Sequence, residues 1–290
     1  MLVSGTVEYR ESPPVPPLAD VVRCVWSLEG HALELSGPLQ PVFPDGCPEL
    51  IVHLGDPFDR LDDDSTTLRQ PSAILAGQLT RRLVLSPRGV ISVAGVRFEP
   101  HGAAAFVREP QFRLVGRTLD ISEVSRRLFQ MSVDVQQRAA CATEAVVLLQ
   151  QALVSLRGGA GLDPRTVHAA SAIRQSGGRL PIQQVAANCG TTRRHLERLF
   201  LTQVGLTPKR LARTVRFQRA LAALDGNDSG AAAAARCGYA DQAHFIREFR
   251  ELAGCPPGAH LLERAELTGF FSVGAPGRRR APQSQADQAV

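Results

Sequence analysis

Paired cysteines at metal-ligand spacing are missing from this chain. Its six cysteines, at positions 24, 47, 141, 189, 237 and 255, are scattered and form no CxxC. That excludes zinc-ribbon and thioredoxin-type patterns and reads, in a chain of 290 residues, as reduced and mostly buried thiols. No run approaches the roughly 18 apolar residues of a membrane span, so no membrane partner is expected. The opening MLVSGTVEYRESPPVPP lacks the basic start and apolar core of a secretory signal, which makes the cytoplasm the expected compartment. There is no Walker loop, dinucleotide fingerprint or G-x-S-x-G elbow, so no nucleotide cofactor or serine-hydrolase chemistry is expected. Lysine is nearly absent: Lys209 is the only one, and arginine carries the positive charge.

What is present is divided unevenly along the chain. Residues 1–156 hold 14 basic and 18 acidic side chains, a net of −4, whereas residues 157–267 hold 16 and 9, a net of +7. Residues 268–290 add +2, which completes the total of +5. A basic C-terminal part on an acidic N-terminal part suits a nucleic-acid-binding module attached to something else. The break in composition at residues 157–162, RGGAGL, is the natural linker between residues 1–156 and a module at residues 163–267. Beyond it, residues 268–290 turn to Gly, Pro, Arg and Gln and read as a disordered tail, whose arginines at 278–280 would add unspecific attraction to DNA.

The first part reads as a mostly β domain closed by helices. Residues 12–22 begin as polyproline-like chain that enters order near Leu18. Residues 21–29 are strand-like and place Trp26 in a core or at a domain edge. A Pro-Asp-Gly turn at 44–46 leads to a second strand at 49–54. The runs 73–75, 83–85 and 90–98 are bounded by Pro and Gly, and Gly95 inside the last predicts a bulge. Residues 61–67 are a polar connection. Residues 103–107 read as a short helix, and residues 121–129 and 133–156 as longer ones. In the last, Ala139, Val146, Leu149, Leu153 and Leu156 recur at three- and four-residue steps, a pattern for packing or for dimerisation. Glu49, His53, Glu99 and His101 are metal-ligand and acid/base residue types, and Glu49 and His53 share one strand face. Polar sheet residues are the favoured reading, and an enzyme or metal-binding domain around these four is the alternative. No catalytic residue and no metal site is assigned.

The second part is all α and repeats itself. LPIQQVAANCGTTRRHLERLF, residues 180–200, returns as AAAARCGYADQAHFIREFREL, residues 232–252. Ala186 stands four residues before Gly190 and Leu196 six after it, while Ala234 stands four before Gly238 and Phe245 seven after. A small residue where two helices cross, a glycine in the turn and an apolar anchor on the second helix are what a helix-turn-helix needs. Between the two units, Thr207 and Pro208 start a helix expected to reach residue 224, apolar over half its circumference, which makes it a spacer gripped at both ends. On the reading helix of the first unit, Leu196, Leu199 and Phe200 mark the buried side. Arg194 and Arg198 point away from it, with Arg193 and Glu197 beside them. Arginine can bond bidentately to guanine in the major groove, and Glu197 can accept from a cytosine amino group or orient an arginine. In the second unit Ala243 and Arg247 face outward, Gln242 and His244 flank them, and Asp241 caps the helix. His244 is equally suited to a phosphate or to packing. Arg213, Arg216 and Arg219 on the spacer are candidate phosphate contacts.

These phrases, CGYADQAHFIREFRELAGCPPGAH and LERLFLTQVGLTPKRLARTVRFQRAL above all, resemble the AraC/XylS family of bacterial transcription regulators over about residues 162–262. The resemblance implies two units in successive major-groove segments of double-stranded DNA. It places Thr192, Arg194, Glu197 and Arg198 toward bases in the first unit, and Gln242, Ala243, His244 and Arg247 in the second. Cys255, Pro256 and His260 depart from the family's closing phrase. The stretch at residues 44–57, PDGCPELIVHLGDP, is similar to a function-unassigned domain found fused to such modules. In this family the N-terminal domain commonly binds a small-molecule effector or makes a homodimer, and activators contact RNA polymerase. The resemblance implies each of these as an expectation here.

Overall fold

Strand β2 (Val22–His31) has a different core on each of its two faces, and the rest of the N-terminal region is arranged about that division. The computed structural model describes residues 7–35, 39–61, 66–157, 161–226 and 228–266. The polar residues 62–64, residues 158–160 of the linker and the tail from residue 267 lie outside them. Beside β2 run β1 (Glu8–Ser12), β3 (Gln40–Val42), β4 (Glu49–His53), β5 (Asp59–Leu61), β6 (Thr67–Arg69), β7 (Ala73–Ala76), β8 (Leu83–Ser86), β9 (Val90–Phe98) and β10 (Thr118–Asp120). They form a six-stranded sheet, β1-β2-β9-β4-β7-β10, and a four-stranded one, β3-β8-β5-β6, with every pairing antiparallel. Helices α1 (Ile121–Val124), α2 (Arg126–Arg138) and α3 (Ala142–Leu156) close the larger sheet.

Alternation along the strands fills both interfaces. Ala94, Val96 and Phe98 of β9 meet Leu128, Val135, Leu149 and Leu153 on the helix side, while Ile91 and Val93 join Trp26, Leu28, Phe58 and Leu85 between the sheets. Gly95 is not at a bulge. It pairs in register with Trp26, and a Cβ there would fall among the atoms of the indole. The bulge lies on β2 instead, between Val22 and Cys24, and lets Val22 and Val25 both face the helices. The helix expected at 133–156 is two helices. Ala139 and Cys141 are extended, and the start of α3 is held by the Glu29 carboxylate, which accepts from the Ala142 N–H at 2.8 Å.

The C-terminal region is α4 (Pro164–Gln175), α5 (Ile182–Asn188), α6 (Arg193–Gln203), α7 (Pro208–Asp225), α8 (Gly230–Cys237), α9 (Gln242–Ala253) and α10 (Pro257–Glu266). Asp163, Thr192, Thr207, Ser229 and Asp241 cap α4, α6, α7, α8 and α9 through their side chains. Leu211 and Ala212 of α7 belong to the core of the first unit with Leu196 and Phe200. Phe217, Ala220, Leu221 and Leu224 belong to that of the second with Phe245 and Phe249. Helix α7 is therefore the shared spine of both units. The molecule is α+β, with a β-rich N-terminal region and an all-α C-terminal one.

The two regions are packed together. Phe43, from the loop before the Pro-Asp-Gly turn, is buried in the core of the second unit between Phe217 and His260. His260, where the resemblance favours an aromatic, supplies a flat ring against Phe249 at 5.7 Å. Gln218 donates to the Pro44 carbonyl at 2.5 Å. The buried Gln78 amide donates both to Pro100 O (3.0 Å) in its own region and to Val204 O (2.8 Å) at the end of α6. Glu99 forms an ion pair with Arg174 of α4. Among the described residues, no helix is long and apolar enough to cross a membrane.

Candidate nucleic-acid interface

Each helix-turn-helix closes over small residues. In the first, Val185 and Ala186 of α5 are buried against Leu196, and Gly190 turns the chain at a φ of 60°. In the second, Ala233, Ala234 and Cys237 of α8 lie against Phe245, and Gly238 turns at 79°. Both φ values are left-handed, where a Cβ is strained and glycine is not. Cys237 is buried and Cys189 half-buried, each against the core of its own unit.

Packing one side of α6 leaves Thr192, Arg193, Arg194 and Arg198 exposed. The Thr192 hydroxyl accepts from the His195 N–H at 3.2 Å and fixes the start of the helix. Arg193 donates to Glu197 at 2.9 Å, so Glu197 holds an arginine in this arrangement. Arg198 lies 3.0 Å from His195 Nδ1. Arg194 has no hydrogen bond or ion pair among the described residues. On α9, Gln242, Ala243 and Arg247 are exposed. His244 packs its ring against Tyr239 at 5.4 Å and lies 3.3 Å from Glu248.

Two arginines of α7, expected as candidate phosphate contacts, also make contacts within the protein. Arg216 donates to the Gly178 carbonyl at 2.9 Å, meets Glu248 at 3.3 Å and lies over the Tyr239 ring at 5.7 Å. Arg213 meets the same Glu248 carboxylate at 2.9 Å and also pairs with Glu251. Both tie α7 to α9, with Arg216 also reaching the turn before α5. Arg219 lies against Gly177 and borders the cavity between the two regions. Basic residues that the helical periodicity did not single out take the outer position: Arg179 and Lys209 join Arg193 and Arg216 around an open hollow of about 400 Å³ beside α5. Arg179 follows the Gly177–Gly178 stop and Lys209 sits in the first turn of α7, positions where a wheel drawn on one helix gives no direction.

The four residues of the enzymatic alternative do not converge on one site: Glu49 and His53 are engaged apart from Glu99 and His101, which line a cavity between the two regions. Glu49 accepts from Arg97 Nε at 2.5 Å on the face between the sheets. Burial opposes the charge of Arg97, but Glu49 and Asp45 outweigh it and hold the guanidinium protonated, above its ordinary range. His53 is buried against Phe58 at 5.1 Å, and burial lowers its pKa to about 4. Glu99 is engaged by Arg174, and His101 Nε2 lies 2.9 Å from the Asp20 carbonyl. Among the described residues, no three His, Cys, Asp or Glu side chains are grouped to hold a metal.

Two helix-turn-helix units on one spine, with basic side chains outward on the second helix of the first, define a DNA-binding transcription regulator. Residues 185–262 match a family model described as a helix-turn-helix domain. Residues 10–120 match a domain of unknown function, DUF6597. No curated protein matches the chain. Similar solved structures include a probable AraC family transcriptional regulator from Rhodopseudomonas palustris, 28% identical over 35% of this chain and 97% of that one, with a TM-score of 0.32. ToxT from Vibrio cholerae is 11% identical over 91% of this chain and all of that one, with a TM-score of 0.46. ToxT bound to an unsaturated fatty acid is 13% identical over 92% and 98%, with a TM-score of 0.43.

Proposed function

We propose that the chain is a sequence-specific regulator that reads two successive major-groove segments of double-stranded DNA with α6 and α9. The observation that carries this reading is the sharing of α7 between both cores, which fixes the two reading helices relative to each other. Its 18 residues span about 27 Å, comparable with the ~34 Å turn of the duplex. Arg194 and Arg198 supply the base discrimination of the first unit, with Thr192 setting the entry of the helix and the Arg193–Glu197 pair flanking it. Gln242, Ala243 and Arg247 read less: one amide, one methyl and one guanidinium. Arg179 and Lys209 take phosphates, while His244 and Arg216 hold the units in place. The N-terminal region is the regulatory partner of this module, through contacts that reach both units. Selection of bound fragments from random duplex DNA tests the reading. The expected product is two conserved blocks about one helical turn apart, the block under α6 being the more strictly conserved. Recovery of unselected sequence at physiological salt would overturn it.

A further inference from the structure

Between the two regions lies a half-open cavity of about 560 Å³, within the usual size of small-molecule sites. Residues 19–23 and 99–101 form one wall, and α4 and α7 form the other. The charges on these walls do not balance. Asp20, Asp45 and Glu99 each already face an arginine: Arg157, Arg97 and Arg174. Two further guanidiniums form no ion pair among the described residues, although Arg23 lies within the field of Asp45. Arg23 donates to Cys47 Sγ at 3.3 Å, and burial pushes that thiol up to about 12, so its sulfur carries no charge. Arg219 has no hydrogen bond or ion pair among the described residues. The bulge between Val22 and Cys24 is what takes Arg23 out of the strand's alternation and leaves it on this wall. Burial, and after it the charge of Arg23, holds the Arg174 pKa below its ordinary value, so cations from the two regions confront each other across the cavity.

His101 is an independent mark of a ligand. It is 4% exposed and lines the same cavity. The Asp20 carbonyl can only accept, so Nε2 carries the hydrogen of that 2.9 Å contact and Nδ1 is a bare acceptor. Nδ1 is buried and has no hydrogen-bond partner. A buried acceptor left empty is costly unless something donates to it.

We propose that this cavity binds a small organic anion that also bears a hydroxyl, its carboxylate or phosphate taken by Arg23, Arg174 and Arg219 and its hydroxyl donating to His101 Nδ1. Guanidinium forks match both oxyanions. Val167, Ala170, Leu211 and Val215 offer apolar cover to a short carbon skeleton. An occupant would bridge the N-terminal region to α4 and α7, which deepens the regulatory reading above. Its effect on DNA rests on that reading, and its binding does not.

Calorimetry and thermal melting of the full chain test the site with lactate, malate and gluconate against propionate and succinate, and with glycerol 3-phosphate against inorganic phosphate. The expected result is that at least one hydroxylated anion binds. Its counterpart lacking the hydroxyl should bind at least tenfold more weakly, and the carboxylate and phosphate arms identify the head group. Arg23→Gln and Arg219→Gln, both at exposed side chains, should each weaken binding about tenfold with the unliganded melting temperature unchanged. Absence of binding by every probe, or binding undiminished in the double variant, overturns the proposal. A chain that binds an anion but enriches no DNA sequence keeps this site and loses the regulator reading, and the converse result separates them the other way.

Discussion

Phe43 and Phe217 meet across the boundary between the two regions with ring centroids 6.2 Å apart and planes at 60°. Phe43 is 4% exposed and closes the aromatic cluster of the second unit from outside that unit. Phe43→Ala should therefore destabilise a part of the chain remote in sequence, by about 3–5 kcal/mol for a fully buried ring. Hydrogen exchange should show α8, α9 and α10 losing protection before the sheets do. Uniform loss across the molecule, or none in α8 to α10, would contradict this placement.

Arg198 and Arg216 should fail in different ways. Arg198→Ala leaves the fold intact and should flatten base preference at one or two positions in binding measured at fixed salt, by about 1–3 kcal/mol per position. Arg216→Ala removes donors from Gly178 and from the buried Glu248, so it should lower unfolding stability by about 1–3 kcal/mol. A stable Arg216→Ala protein with uniformly weaker DNA binding would return Arg216 to the role of a phosphate contact.

Gly95→Ala is a small substitution with a large expected cost. The added methyl would collide with the Trp26 indole in the layer between the sheets. Overpacking of this kind costs about 1–3 kcal/mol or more. Trp26 is the only tryptophan, so its fluorescence reports the site directly. An unshifted denaturation midpoint and an unchanged spectrum would show that the layers can separate at no cost.

Acid should weaken the fold through His53. Burial lowers its pKa from 6.5 to about 4, so between those values the unfolded chain binds more protons than the folded one. The stabilising contribution is intact above about pH 6.5 and is lost as pH falls toward 4, on the order of 3 kcal/mol across the window. His101 is shifted in the same direction by burial. Urea unfolding at a series of pH values should show His53→Leu with a shallower slope than the parent, and parallel slopes would refute the assignment.

The C-terminal helices were legible because their signals are local. Asp163–Pro164, Thr207–Pro208 and Asp241 are caps that act within one turn, and the cores of both units follow the 3.6-residue period. Strand β1 carries no strand pattern in its sequence because it is charged and mostly exposed, and only its pairing with β2 makes it a strand. The break between α2 and α3 carries no glycine or proline. It depends on Glu29, more than a hundred residues away in sequence, and on Glu144, which accepts from the Ala140 N–H at 2.8 Å. At the interface the outward face of α6 could be read from its own periodicity. Arg216 could not, because a wheel drawn on α7 shows neither Glu248 of α9 nor the Gly178 carbonyl. The cavity between the regions, built from residues 19 to 222, left no trace in any single stretch.

The Gln78 amide, shared between the carbonyls of Pro100 and Val204, has a consequence for how this protein comes apart. A protease that cuts after Arg157 would sever the chain without releasing the pieces, which should travel together through a sizing column. The helical module prepared alone would show an open apolar socket where Phe43 sits and an unanswered carbonyl at Val204. Such a fragment should self-associate more readily than the whole, because its surface was shaped to be covered.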